Sequence, residues 1–152
     1  MNPYIQRALL LFQQDRYSEA EKELMKALAQ NPNDGNAYAL LAVCYTQLDN
    51  FLEESIDTAK HAISLEPNNP YFYSVLCRTY LANKNLADAE EAIDQAIEMD
   101  PMDSDFQFLK GAILFDKKNW QGALNAAEES LALDPESVDA MNLRSMALVK
   151  LN

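Results

Sequence analysis

Four prolines recur at an almost constant spacing in this chain. They lie 35, 34 and 34 residues apart, at Pro32, Pro67, Pro101 and Pro135. Five and twelve residues before each proline stands an alanine or a serine, and apolar residues fill the intervening positions at three- and four-residue steps. A period of about 34 residues combined with helical spacing indicates stacked helical hairpins, in which each unit buries its apolar side against the next.

Helix-capping and helix-breaking residues set the predicted bounds of these helices. Asn2-Pro3 is a helix start, and Asn31-Pro32 with Gly35 is a stop in which the glycine is expected to adopt a left-handed backbone. The second unit has one extra residue, which the pattern places within 51–55. Gly111 costs about 1 kcal/mol of helix propensity relative to alanine, which predicts a close helix contact near Ala123. The predicted helices span 3–14, 18–30, 36–48, 52–65, 70–82, 86–99, 104–116, 120–133 and 138–152.

Aromatic and small residues inside the units resemble those of the tetratricopeptide repeat (TPR) family. The resemblance is carried by the pairs Tyr38/Tyr45 and Tyr73/Tyr80, by Ala42, Cys77 and Gly111, by the triplet Ala20/Leu24/Ala27, and by the terminal prolines. It implies an all-α fold, a right-handed α-solenoid of stacked antiparallel helix hairpins. It also implies one domain over 1–152, with repeats 1–34, 35–69, 70–103 and 104–137 and the first helix of a fifth unit at 138–152. Members of this family are protein-interaction scaffolds.

The charge of the chain is strongly negative. Lys and Arg number 12 and Asp and Glu 24, for a net charge of −12 over 152 residues. Such a chain repels phosphate backbones and anionic lipid surfaces, so neither nucleic acid nor direct membrane contact is expected. The charge is explained by solubility or by a preference for basic partners. No signal peptide or membrane span is predicted, and the cytoplasm is the expected compartment.

No combination of residues predicts catalysis or a cofactor. His61 is the one histidine and is expected to be a solvated surface residue, while Cys44 and Cys77 lack metal-ligand or CxxC spacing and are expected to be buried. The acid pairs Glu53/Glu54, Glu90/Glu91 and Glu128/Glu129 are interpreted as helix-dipole partners near the starts of second helices. We therefore expect no catalytic residues, no metal site, no cofactor and no enzymatic activity.

The family resemblance implies a concave groove lined by the first helix of each hairpin. Carried over position by position, the expected partner-binding residues are Ile5, Leu9, Phe12, Val43, Gln47, Tyr71, Ser74, Arg78, Phe108 and Phe115. Some of the aliphatic ones have an alternative interpretation as packing between neighbouring helices. Family members that grip acidic chaperone C-termini have Lys and Asn where this chain has Ile5 and Leu9, so a carboxylate clamp is not expected. The predicted ligand is instead a peptide or helical segment of a partner protein.

Residues 138–152 leave a second function open. Met141, Leu143, Leu148 and Leu151 make this segment less polar than a terminal cap should be. The alternatives are an assembly element that self-associates through its terminal helix as a homo-oligomer, or the N-terminal part of a longer TPR protein.

Overall fold

The computed structural model describes residues 1–48 and 51–152, and within these the chain forms nine α-helices and no strand. Their bounds are α1 Pro3–Phe12, α2 Tyr17–Gln30, α3 Gly35–Gln47, α4 Leu52–Leu65, α5 Pro70–Ala82, α6 Leu86–Met99, α7 Ser104–Asp116, α8 Trp120–Leu133 and α9 Val138–Leu151. The predicted bounds of α4 to α8 agree with these, and the others differ by one or two residues. The predicted all-α solenoid of helix hairpins is confirmed.

Asparagine and aspartate side chains begin most of the helices. Asn2, Asp34, Asn69 and Asp103 each accept a hydrogen bond from a backbone N–H in the first turn of the opening helix that follows. These side chains supply acceptors for N–H groups that have no partner within the helix. The opening helices therefore begin at corresponding places in successive hairpins.

Left-handed residues make three of the hairpin turns, and none of them is glycine. Asp15, Lys84 and Lys118 have φ values of 55°, 58° and 63°. The backbone N–H after each donates to the carbonyl five residues earlier, as Asn85 N does to Tyr80 O at 2.9 Å. This is the hydrogen-bond pattern of a Schellman ending, in which a left-handed residue closes the helix.

Gly35 does not adopt the predicted left-handed backbone, since no glycine has a positive φ. It is the first residue of α3 and is buried. A Cβ atom at Gly35 would lie 2.8 Å from Cε2 of Phe72. Glycine at this position therefore allows the Phe72 ring of the next hairpin to approach, which is a packing role.

The extra residue of the second hairpin precedes α4. Leu52 comes seven residues after Tyr45, whereas the corresponding Leu86 comes six residues after Tyr80. Because α4 is continuous from Leu52, the structure excludes 52–55 as the place of the insertion and leaves only Phe51 of the predicted range 51–55. The chain between Leu48 and Phe51 contains two residues outside the described ones.

Alanine-rich contacts hold the array together. Each helix packs on the next along the chain, and the opening helices also pack in succession, α3 on α5, α5 on α7 and α7 on α9. One buried cluster joins α1, α2 and α3, and a larger one, with Phe72, Val75 and Ile93 at its centre, joins α3 to α7. The predicted contact of Gly111 is confirmed, because a Cβ there would lie 3.1 Å from Ala126 Cβ and 3.4 Å from Ala123 O.

All three acid pairs were expected to face helix dipoles, and only one of them does. Glu53 and Glu54 lie in the first turn of α4, where they do face the helix dipole. The pair Glu90/Glu91 follows the first turn of α6, and the pair Glu128/Glu129 lies in the middle of α8. Glu90 instead accepts hydrogen bonds from the ammonium groups of Lys110, at 2.9 Å, and of Lys117, and so joins α6 to α7.

Candidate binding groove

A cavity of about 520 Å³ lies on the side of the array formed by the opening helices. It is found near the N-terminal ends of α1, α3 and α5, where α1 packs less closely on α3 than the later opening helices pack on one another. The lining residues are Met1, Asn2, Ile5, Leu9, Asp34, Asn36, Leu40 and Tyr71. This surface is mainly apolar, and Asn2, Asp34 and Asn36 contribute polar side chains to it.

Among the described residues that line the cavity, Asp34 carries the one carboxylate and none is lysine or arginine, while Met1, also in the lining, carries the α-amino group of this chain. One carboxylate oxygen of Asp34 accepts from Ala37 N at 3.1 Å. Tyr71 is 43% exposed. Partial burial raises the pKa of its phenol, and the positive charge of Arg78 opposes this to a smaller extent. The phenol is therefore neutral near pH 7 and can donate a hydrogen bond to a ligand.

Three of the ten predicted groove residues line this cavity together: Ile5, Leu9 and Tyr71. Ile5 is only 7% exposed, so it forms the floor. Ser74 is 2% exposed, and its hydroxyl donates to Tyr71 O at 2.7 Å. Its side chain consequently presents little surface and supports the turn of α5 that carries Tyr71.

The other predicted groove residues lie outside the cavity. Gln47 and Arg78 are exposed, while Val43 and Phe108 are half-buried and pack on the central cluster. Phe12 packs with its ring edge-on to Tyr17, with 5.7 Å between ring centroids. These positions share the side of the opening helices without converging on one pocket.

Phe115 lines a second, wholly apolar cavity of about 300 Å³, between α7 and α9. Ser145, Met146, Val149 and Lys150 complete its lining. Phe115 also packs against Trp120, with 4.8 Å between ring centroids, and the Lys150 ammonium lies 5.6 Å from the Trp120 ring centroid. The side formed by the opening helices therefore has apolar hollows at both ends of the array.

Five residues of the first cavity were absent from the ten predicted groove residues: Met1, Asn2, Asp34, Asn36 and Leu40. Asn2 and Asp34 are helix caps, and stacked opening helices bring their caps to the same edge of the array. That alignment was a usable signal in the sequence. No such signal marked Leu40. The residue at the corresponding position of α5, Val75, is 1% exposed, so the repeat pattern assigns this position to the core.

The cysteines and the histidine are the side chains that could support catalysis or metal binding, and their surroundings are those of structural residues. Cys44 and Cys77 are free and fully buried, as predicted, and burial raises the pKa of each thiol to about 12. Neither is a thiolate at neutral pH. His61 is exposed, and its ring meets Tyr38 edge-on with 4.4 Å between centroids. Within 1–48 and 51–152, no three His, Cys, Asp or Glu residues are grouped to hold a metal ion.

The relatives identified by sequence are longer proteins, and this chain matches only a segment of each. Hsp70-Hsp90 organizing protein 3 of Arabidopsis thaliana is 33% identical over 95 residues, which cover 62% of this chain and 17% of that protein. Hsp70-Hsp90 organizing protein 1 of Glycine max is 40% identical over 57 residues, covering 38% of this chain and 10% of the relative. The chain thus spans less than a fifth of the length of either relative.

Solved structures share the fold at low sequence identity. Cut9 in the APC/C hetero-tetramer Cut9-Hcn1 gives a TM-score of 0.83 at 21% identity, over 96% of this chain and 29% of that one. A double mutant of MamA gives 0.76 at 15%, over 98% and 83%. The first TPR of Spaghetti (RPAP3), bound to the HSP90 peptide SRMEEVD, gives 0.71 at 20%, over 77% and 92%.

The family is established by sequence models together with this shared fold. Two models, both described as tetratricopeptide repeat, match residues 11–53 and 76–138. None of the described helices combines the length and hydrophobicity that crossing a membrane requires. With its period, its helix hairpins and these two matches, the chain belongs to the tetratricopeptide repeat family.

Proposed function

We propose that this chain is a non-catalytic protein-interaction scaffold that binds a peptide or helical segment of a partner protein on the side formed by its opening helices. The observation that carries the proposal is the cavity between α1, α3 and α5, in which the exposed ring of Tyr71 stands beside Ile5 and Leu9. An exposed aromatic residue in a mainly apolar hollow that contains a few polar side chains is a suitable anchor site for a partner side chain.

The ligand chemistry we propose is apolar, with a basic or neutral flank. The names of two relatives and the peptide SRMEEVD bound to the RPAP3 domain point to chaperone-type ligands for those proteins. No lysine or arginine is among the described residues that line the cavity of this chain, and Asp34 adds negative charge. An acidic C-terminus would lose its hydration here without the lysine and arginine ion pairs that offset this loss. The side chain that suits the cavity is a Leu, Met or aromatic residue.

Quantitative affinity capture tests the groove. Tyr71→Ala and Leu9→Glu should each reduce recovery of the specific partners at least tenfold, because one removes the anchor ring and the other places a second carboxylate in the cavity. Met25→Ala is the matched control, since Met25 is 52% exposed on α2, outside the cavity. Phe108 is unsuitable for this test because it packs on the core. Equal recovery by the wild type and both groove variants, all folded by circular dichroism, would contradict the proposal.

A labelled SRMEEVD peptide tests the ligand chemistry separately. We expect no binding by fluorescence anisotropy up to about 1 mM peptide, which corresponds to a binding free energy weaker than about −4 kcal/mol. Micromolar binding that Leu9→Glu abolishes would show that the cavity accepts acidic termini after all.

We propose a cytoplasmic location and no nucleic-acid binding on the basis of the free cysteines and the net charge. Two free, buried cysteines suit a reducing compartment such as the cytoplasm, and a net charge of −12 repels phosphate. Fluorescence microscopy of the tagged chain and a gel shift with single- and double-stranded probes test these two points. Self-association through α9 has exposed apolar residues in its favour, and its test is molar mass as a function of concentration.

A further inference from the structure

The charged residues of this array are divided between its two edges. All opening helices begin at one edge and end at the other, because each second helix returns the chain to its starting side. The linkers between hairpins therefore share one edge, the linker edge, and they are residues 31–34, 66–69, 100–103 and 134–137. The turns within hairpins share the opposite edge, the turn edge, and three of them are described completely: 13–16, 83–85 and 117–119.

The linker edge is acidic. The four linkers contain no lysine or arginine and six acids: Asp34, Glu66, Asp100, Asp103, Asp134 and Glu136. The first turns of the opening helices add Asp105 and Asp139, again with no base. None of the six linker acids forms an ion pair with a described residue. Their negative charge is therefore available to a partner.

The turn edge carries more positive than negative charge. The three described turns have one acid, Asp15, and four bases: Arg16, Lys84, Lys117 and Lys118. The sequence of the remaining turn, 48–51, has one acid and no base. The last turns of the opening helices contribute one lysine and one aspartate. The two edges of the array thus differ in the sign of their charge.

Local turn chemistry does not account for the charge of the linker edge. An N-cap requires a side-chain oxygen, and the neutral Asn2 and Asn69 supply it as well as Asp34 and Asp103 do. The C-caps of three second helices are also acids, although the helix dipole disfavours a carboxylate there: Glu66, Asp100 and Asp134. The helices do not require this charge, and a basic group of a partner can use it.

The groove crosses this division of charge. Its cavity is at the linker edge, where Asp34 belongs to the lining. Arg78 is exposed on α5, seven residues after Tyr71 and therefore about 10 Å nearer the turn edge. It forms no ion pair with a described residue, and its charge acts on the Tyr71 phenol. A ligand anchored at Tyr71 consequently meets an acid beside the anchor and a base further along α5.

We propose that this charge sets the order of residues in the partner segment that binds the groove, and the proposal rests on the groove function proposed above. The segment has Lys or Arg next to the apolar residue that enters the cavity, and on the other side it has Asp or Glu that reaches Arg78. An extended segment covers about 10 Å in three residues, so the acid is three or four positions from the anchor. An acid directly beside the anchor, as in SRMEEVD, lies near Asp34 instead and is disfavoured.

Selection from a random peptide library displayed on phage, with the full chain as bait, tests this order. The wild type should enrich sequences in which Leu, Met or an aromatic residue has a base beside it and an acid three or four positions to the other side. Arg78→Glu should replace the enriched acid by Lys or Arg and keep the anchor. Asp34→Asn, which keeps a capping oxygen, should lower the frequency of the base beside the anchor about threefold, the effect of a partly exposed ion pair.

Matched variants make the same changes of charge outside the cavity lining. Arg144→Glu and Asp134→Asn should both keep the wild-type sequence preference. Tyr71→Ala separates the two proposals. Enrichment that Tyr71→Ala leaves unchanged, or no enrichment at all, would contradict the groove and with it the order of residues. Peptides that depend on Tyr71 but show no order of charge, or that keep their acid with Arg78→Glu, would overturn the proposed order and leave the groove in place.

Discussion

The two ends of the array each expose an opening helix, and they differ in what they show to solvent. On α1 the side chains of Gln6, Arg7 and Leu10 are exposed, Leu10 to 57%. On α9, Met141 and Leu148 are 38% and 42% exposed, while Leu143 is buried. The exposed side of α1 thus mixes polar and apolar side chains, whereas the apolar residues of α9 divide into a buried side and an exposed side. The difference teaches that an exposed apolar residue in a repeat array is informative only once the side of the helix that carries it is known.

The two sides of α9 provide the largest expected contrast. Leu143 is 2% exposed against the rest of the array, and Leu148 is 42% exposed. Leu143→Ala should lower the free energy of unfolding by about 3 kcal/mol, because it removes buried methyl groups and leaves a cavity. Leu148→Ala should lower it by less than about 1 kcal/mol. Urea unfolding followed by circular dichroism gives both values, and equal losses would mean that both sides of α9 are covered.

Gly111 and Ser145 occupy the same register position, one covered and one open. A Cβ at Gly111 would lie 2.7 Å from Leu143 Cδ2, so Gly111→Leu should lower the free energy of unfolding by roughly 2 kcal/mol despite its better helix propensity. Ser145→Leu should change it by no more than about 0.5 kcal/mol. If the serine variant were as destabilised as the glycine variant, α9 would have a covering helix in solution.

A smaller effect is expected at the ion pairs between α6 and α7. Lys110 contacts Glu90 at 2.9 Å and Asp94 at 2.8 Å, and its side chain is 21% exposed. Lys110→Met should lower the free energy of unfolding by about 1 kcal/mol, since Glu90 keeps Lys117 as a partner. Arg144→Met, the corresponding change in α9, should have almost no effect. Thermal unfolding of both variants distinguishes them, and a loss for Arg144→Met equal to that for Lys110→Met would contradict the comparison.

The smallest effect expected is a pH dependence from Glu90. Hydrogen bonds from Lys117 and Lys110 lower the pKa of its carboxyl below the ordinary value of 4.5. Its stabilisation is therefore present above pH 4.5 and is lost as pH falls through the lower pKa of the folded state. Because its partners are partly exposed, the wild type should lose slightly more stability than Glu90→Gln between about pH 4.5 and 3. Parallel pH profiles for the two proteins would show that the ion pairs do not contribute.

Capping residues and apolar spacing within each helix predicted the helices. Features that depend on contacts between hairpins were not predicted from them. The third and fourth hairpins were placed correctly because their caps and turns repeat in the sequence. The role of Gly35 was missed because the ring of Phe72, which requires a glycine there, belongs to the next hairpin. Ile5, Leu9 and Tyr71 were predicted groove residues and lie together, whereas Leu40 was missed because its exposure depends on the distance between α1 and α3. Spacing along one helix carries no information about that distance.

Site-directed photo-crosslinking tests the central claim, that the side formed by the opening helices binds the partner, most directly. Benzoylphenylalanine is placed at position 71, inside the cavity, or at position 61, on α4 and exposed. The predicted result is a partner adduct from position 71 that Leu9→Glu removes, with none from position 61. An adduct from position 61 alone, or equal adducts that Leu9→Glu leaves unchanged, would show that the partner binds elsewhere and contradict the account.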